Sequence, residues 1–146
     1  MIYREWTAED IPNIAALEKE CFSDPWNMRM FADAFSSDLF FGVLAEEDGE
    51  IVGYALETVL FEDAEIANVA VKFTHRRKGL AGEMMDRLEG EAARRGAERS
   101  LLEVRVSNAP AMGLYKKRGY TGVRVRSRYY PDGEDALVMQ KCLLGE

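Results

Sequence analysis

Residues 64–96 hold three local structures in a row, and their order decides the architecture. Ala64-Glu65-Ile66-Ala67-Asn68-Val69-Ala70-Val71 is mostly small and β-branched apolar residues, the composition of a buried strand. Arg76-Arg77-Lys78-Gly79-Leu80-Ala81-Gly82 follows as a basic turn carrying two glycines. Met84, Met85, Leu88 and Ala92 then recur at helical spacing, and Gly96 after Arg94 and Arg95 reads as the helix end. A helix that starts at such a turn presents unpaired backbone N–H groups and the positive end of its dipole. Glycines at 79 and 82 let the backbone come close to an anion, so the turn suits a phosphate or pyrophosphate. A basic turn that merely begins a helix would look the same in isolation.

Two familiar phosphate loops are absent. The chain has no Gly-x-x-x-x-Gly-Lys-[Ser/Thr] and no Gly-x-Gly-x-x-Gly. What it has is Arg76-x-x-Gly79-x-Ala81, followed later by Leu101-Leu102-Glu103-Val104-Arg105-Val106-Ser107-Asn108-Ala109-Pro110-Ala111-Met112-Gly113-Leu114-Tyr115 and Gly119-Tyr120. A strand through Val106 ends at Ser107-Asn108, Pro110 sits in the first turn of a helix, and Gly119 stops it.

These two segments resemble the paired signatures of the GNAT N-acetyltransferase family: the Arg/Gln-x-x-Gly-x-Gly/Ala loop, and the Asn-x-x-Ala-x-x-Leu-Tyr-x-x-x-Gly-Phe/Tyr run here formed by Asn108, Ala111, Leu114, Tyr115, Gly119 and Tyr120. Cys21-Phe22-Ser23-Asp24-Pro25-Trp26, the run 102–108 and Tyr129–Ala136 are similar to the branch that acetylates the N-terminal alanine of a small-subunit ribosomal protein. The likeness runs from about residue 2 to about residue 141. Departures are small: Arg76 where glutamine is common, Ala81 where glycine is common, and Gly113 where alanine is usual.

The resemblance implies an acetyl-CoA-dependent enzyme and a three-layer α/β/α domain around a mixed, mostly antiparallel sheet. It implies that Arg77, Lys78, Gly79, Leu80, Ala81 and Gly82 hold the coenzyme's pyrophosphate. Asn108 and the backbone of Val69, Ala70 and Val71 would bond its amide arm, the arm pairing like an added strand. It also implies that Pro25, Trp26, Tyr129, Tyr130 and Asp132 wall the acceptor groove, although core packing explains Trp26 nearly as well. The acceptor would be the N-terminus of a ribosomal or other protein. Amine attack on a thioester needs a base for the ammonium proton and an acid for the leaving sulfur. Glu103, mid-strand in an apolar run, is the candidate base, and an outward-facing strand glutamate is the alternative. Tyr115, seven residues past Asn108 on the same helix face, is the candidate acid. His75, beside three cations, reads as surface structure, and Cys21 as a core residue more than a nucleophile.

Composition sets limits. A chain of 146 residues fits one domain, 1–146, with no linker, repeat or low-complexity run. No apolar run approaches the length of a membrane span and no signal segment is evident, and with only two cysteines a cytoplasmic enzyme is expected. One histidine and two scattered cysteines leave no metal-ligand cluster. The net charge of −7 is uneven: residues 1–66 carry 16 acidic and 3 basic side chains, residues 67–146 carry 10 and 16. The basic part holds the expected coenzyme loop, and the acidic part suits a cationic peptide. Direct nucleic-acid binding is not expected of so acidic a chain. A monomer or weak dimer is the expectation for assembly.

The remaining elements follow from periodicity. Ile2–Trp6 is a strand; Thr7 with Asp10 caps a helix carrying Ile11, Ile14, Ala15 and Leu17. Asp24–Asn27 breaks the chain before a helix with Met30, Phe31, Ala34 and Phe35. Strands are expected at 40–45, 51–56, 121–129 and 136–141.

Overall fold

The structure, a computed structural model, describes residues 1–144; Gly145 and Glu146, the end of the expected 1–146 domain, lie outside the described residues. Its elements are β1 (Ile2–Glu5), α1 (Ile11–Cys21), α2 (Met28–Phe35), β2 (Phe40–Glu47), β3 (Glu50–Leu60), β4 (Asp63–Val71), α3 (Leu80–Arg94), β5 (Arg99–Arg105), α4 (Ala109–Lys117), β6 (Thr121–Arg126) and β7 (Ala136–Cys142). Seven strands make one sheet in the order β1-β2-β3-β4-β5-β7-β6. Every neighbouring pair is antiparallel except β4 with β5. The expected mixed, mostly antiparallel sheet is therefore the one observed.

Helices cover both faces, because alternate residues of the central strands are apolar on each side. On one face α1 and α2 bury Ile11, Ile14, Leu17, Phe31 and Ala34 against Leu44, Tyr54, Leu56 and Ala70. On the other, α3 buries Leu80, Met84, Met85 and Leu88 against Val43, Ala55, Ile66, Leu102 and Val104. Burying each such aliphatic side chain contributes about 1.5–3 kcal/mol relative to exposure.

Local chemistry sets the element ends. Thr7 and Asp10 form the expected reciprocal cap, but residues 8–10 make a single 3-10 turn and α1 begins only at Ile11. Arg4 grips Asp10 at 2.8 and 2.9 Å, and this partner holds the Asp10 carboxyl down at about 2. Asn27 caps α2 by accepting the Met30 N–H at 3.0 Å. Two expected boundaries move. β3 continues past Leu56 to Leu60, because its hairpin with β4 pairs on from Glu57↔Ile66 to Leu60↔Asp63. β6 stops at Arg126, since Arg128 takes a φ of 53° and donates its N–H to Asp135 instead of to a strand.

The charge at Glu57 disguised that extension, and the residue is fully buried. Neither carboxyl oxygen has a hydrogen-bond partner. Burial is the main cause that raises its pKa to about 9, with Glu91 and Glu89 adding to it against Arg95. The folded protein thus holds a proton there that the unfolded chain releases near the ordinary carboxyl value of 4.5. Stability is full below that value and declines as pH rises toward the folded pKa. Glu57→Gln, which cannot ionise, should flatten the fall in unfolding free energy between pH 5.5 and pH 8.5, measured by urea denaturation.

Candidate active site

The parallel neighbours β4 and β5 pair only at Asp63↔Arg99, Ala64↔Ser100 and Glu65↔Leu101. Beyond these residues each strand follows its antiparallel partner instead: β4 stays on β3 as far as Val71↔Gly53, and β5 stays on β7 as far as Arg105↔Ala136. A register shift between Leu56 and Glu57 of β3 marks the place where β4 turns away, with Ala67 left without a Cα partner. A wedge therefore opens in the middle of the sheet. Val69, Ala70 and Val71 edge it on one side and Glu103 on the other. An unpaired strand edge offers main-chain donors and acceptors to an extended ligand.

The basic turn lies just past the end of β4. Arg77 (φ 63°) and Gly79 (φ 83°) are both left-handed and flank Lys78, an alternation that points successive N–H groups into one concavity. Gly79 caps α3, and the first helical bond runs from Glu83 N to Gly79 O. The N–H groups of Leu80, Ala81 and Gly82 precede that bond and have no intrahelical acceptor. Leu80 itself is anchored in the core, so the turn is fixed from below. Arg76 folds back and donates to Val71 O at 3.0 Å. From just past the end of α4, the Arg118 guanidinium approaches Gly82, 3.3 Å from where a Cβ would be.

Glu103 and Tyr115 stand on opposite sides of the sheet. In β5 the buried Leu102 and Val104 face α3, so Glu103 and Arg105 face the other way. Glu103 Oε2 is buried without a hydrogen-bond partner, and Oε1 lies 3.9 Å from Arg126 Nε. Tyr115 packs at the margin of the α3-side core, its ring 6.1 Å from that of Tyr120. Burial raises its phenol pKa, which keeps the hydroxyl protonated. Asn108 caps α4 by accepting the Ala111 N–H at 3.2 Å, which leaves its amide N–H₂ to donate.

Two loops border the Glu103 face. In the loop before α2, Pro25 is exposed, while Trp26 is half-buried and packs on Phe31 with ring centroids 5.2 Å apart. Trp26 thus has one edge in the core and one exposed. In the loop between β6 and β7, Tyr129 and Tyr130 meet edge to face at 5.1 Å. The neighbouring Glu103 carboxylate, followed by burial, raises the Tyr129 pKa, and burial followed by the Glu103 charge pushes Tyr130 up to about 12. Asp132 is drawn into an ion pair with Arg105 at 2.7 Å.

A sequence model of the acetyltransferase (GNAT) family matches residues 11–120. The chain belongs to the GNAT family. The Escherichia coli ribosomal protein bS18-alanine N-acetyltransferase is 32% identical to this GNAT chain over 133 residues, covering 89% of each. A Bacillus subtilis protein that carries the same name provisionally is 39% identical over 139 residues, covering 93% of this chain and 91% of its own. The crystal structure of the Escherichia coli enzyme superposes with a TM-score of 0.91 at 28% identity, over 99% of this chain and 95% of that one. This GNAT protein is accordingly an acetyl-CoA-dependent N-acetyltransferase.

The residues present fit acetyl-CoA: free N–H groups at a left-handed turn, and a strand edge in line with it. Among the described residues no group of three or more His, Cys, Asp or Glu is placed to hold a metal ion, and no helix is long and apolar enough to cross a membrane. His75 is engaged with Glu47 at 3.0 Å and with Thr74. Cys21 donates its thiol to Val71 O at 3.7 Å, and burial raises its pKa, the reverse of what a nucleophile needs.

Two site residues escaped sequence reasoning. Glu18 is buried at 2% exposure; it accepts from Tyr54 OH, from Asn68 Nδ2 at 3.0 and 3.1 Å, and from Trp26 N at 3.0 Å. It ties the Trp26 loop to β4 where the wedge opens. Its only sequence signal is an acidic residue on the apolar side of α1, next to Leu17. Arg105 is the other, hidden as one charge among many.

The turn is testable. Nothing lies within 4 Å of a Cβ at Gly79, so its need for glycine is conformational. Gly79→Val should weaken acetyl-CoA binding by about tenfold in calorimetry, the equivalent of the ~1–2 kcal/mol cost of a left-handed L-residue. Gly82→Ala meets only a flexible arginine tip and should lose less.

Proposed function

We propose that this enzyme acetylates the α-amine of an N-terminal alanine, and that its acceptor is ribosomal protein bS18, the substrate named for its Escherichia coli and Bacillus subtilis relatives. The observation that supports the reading most is the unpartnered, buried oxygen of Glu103, set at the mouth of the wedge between two aromatic loops. A buried carboxylate oxygen without a donor is costly, and an ammonium arriving in the groove supplies the missing donor.

Each residue then has a task. Gly79, Leu80, Ala81 and Gly82 hold the pyrophosphate with Arg77 and Lys78, and Val69, Ala70, Val71 and Asn108 align the pantetheine arm. Acetyl-CoA supplies an activated acetyl thioester. Glu103 takes the proton of the incoming ammonium at Oε2. Tyr115, whose proton is retained by burial, stands across the sheet as donor to the departing sulfur. Pro25, Trp26, Tyr129, Tyr130 and Asp132 border the peptide.

The α-amine is favoured over lysine because it ionises near 7.7–8.0, against about 10.4 for lysine. A bS18-derived peptide beginning with alanine should therefore be modified at its N-terminus and at no internal lysine when products are mapped by mass spectrometry. Acetylation confined to lysines would refute the reading.

The two proton-handling side chains should fail differently. Glu103→Gln is expected to lower turnover by roughly 10²–10⁴-fold near neutrality. Its rate should recover partly as pH rises, because free amine then needs no base. Tyr115→Phe should show a defect that rising pH does not relieve, since free amine does nothing for the leaving sulfur. Stopped-flow rates from pH 6 to pH 9.5 would separate them, and a parental profile for Glu103→Gln would send the search for the base elsewhere.

A further inference from the structure

Charged groups from three parts of the chain converge where β5 ends. Arg105 Nη1 donates to Asp132 Oδ2 at 2.7 Å and to Glu134 Oε1 at 2.9 Å, both in the β6–β7 loop. Its Nη2 lies 3.8 Å from Asp24 Oδ1 in the α1–α2 loop. The guanidinium carbon sits 4.1 Å from the centre of the Tyr130 ring. Glu134 is held in turn by Ser107 N at 2.9 Å, and Asp132 by Glu134 N at 3.0 Å. Arg105 belongs to the same face of β5 as Glu103, two positions further on. One planar, multi-donor side chain thus touches both loops that border the Glu103 face, a task an ammonium cannot match.

We propose that Arg105 is a positioning residue for the acceptor: a clasp that holds the α1–α2 and β6–β7 loops at one separation and so sets where the α-amine meets Glu103. This rests on the acceptor groove of the proposed function. The contacts to Asp132 and Glu134 order one loop, and the longer reach to Asp24 spans the groove to the other. Partly exposed ion pairs add little to global stability. The consequence of losing them therefore falls on geometry, and geometry at a reacting centre is costly to lose.

Arg105→Met should raise KM for an alanine-initiated peptide by about 10- to 100-fold while KM for acetyl-CoA stays within about twofold of the parent. Arg105→Lys should recover only part of the loss, because it keeps the charge and not the fork. Asp24→Asn should raise the peptide KM in the parent and add nothing in the Arg105→Met background, as expected of two residues acting as a unit. Amide hydrogen exchange provides a readout independent of turnover. Tyr130 N and Gly133 N are bonded inside the loop at 3.2 and 2.8 Å, and both should exchange faster in Arg105→Met without any acceptor present. If the parent acetylates no N-terminal peptide, the acceptor reading falls, and the exchange rates still decide whether the clasp exists. A folded Arg105→Met with parental peptide KM and parental exchange overturns the clasp. So does a parallel rise in both KM values, which would mark a merely structural residue.

Discussion

The architecture of this enzyme depends on two parallel strands that pair for three residues and then part. Parallel pairing is the less stable kind, and here it competes with two long antiparallel ladders, β3–β4 and β5–β7. Each strand follows its stronger partner, helped by the bulge at Ala67, and the sheet splits. The split leaves backbone donors and acceptors in the interior of a fold, where they would be costly unless a ligand used them. The glycine turn proposed to hold the coenzyme stands just beyond the end of one parting strand, and Glu103 lies in the other. Separation of β4 from β5 thus creates the site and aligns its parts in one step.

The two faces of the split sheet divide the candidate residues. Tyr115 belongs to the α3 side, with the glycine turn, and Glu103 belongs to the α1–α2 side, with the two aromatic loops. With the roles proposed for them, a proton donor at Tyr115 and an acceptor at Glu103 would meet only through the opening.

Three carboxyl groups, two buried and one partly exposed, show how environment assigns roles. Glu18 is satisfied by neutral donors from three elements and fixes a loop. Glu57 has no partner and no access to solvent, and it stays protonated. Glu103 has one oxygen hidden without a partner and the other near Arg126, at the edge of an opening. Side-chain chemistry is the same in all three, and hydrogen-bond supply and exposure separate them.

The sequence alone determined the elements and the left-handed glycine turn, because those depend on local rules. The run 64–71, the glycines at 79 and 82 and the helical spacing of Met84, Met85, Leu88 and Ala92 are read over a few residues, and so is the Asn108 to Tyr115 helix. Its resemblance to a family also named Glu103 and Tyr115. The face that Glu103 takes was not legible, since alternation in a strand has no sign until helices cover it. Glu57 misled the reading of β3 because a charge normally marks a strand's end or its wet face. Arg105 and Glu18 were invisible for a different reason: the hydrogen-bonded partners of Arg105 lie 27 and 29 residues away and its ion-pair partner Asp24 further still, and those of Glu18 up to 50 away. Only the tertiary structure decided those contacts, because they form between elements that no local periodicity relates.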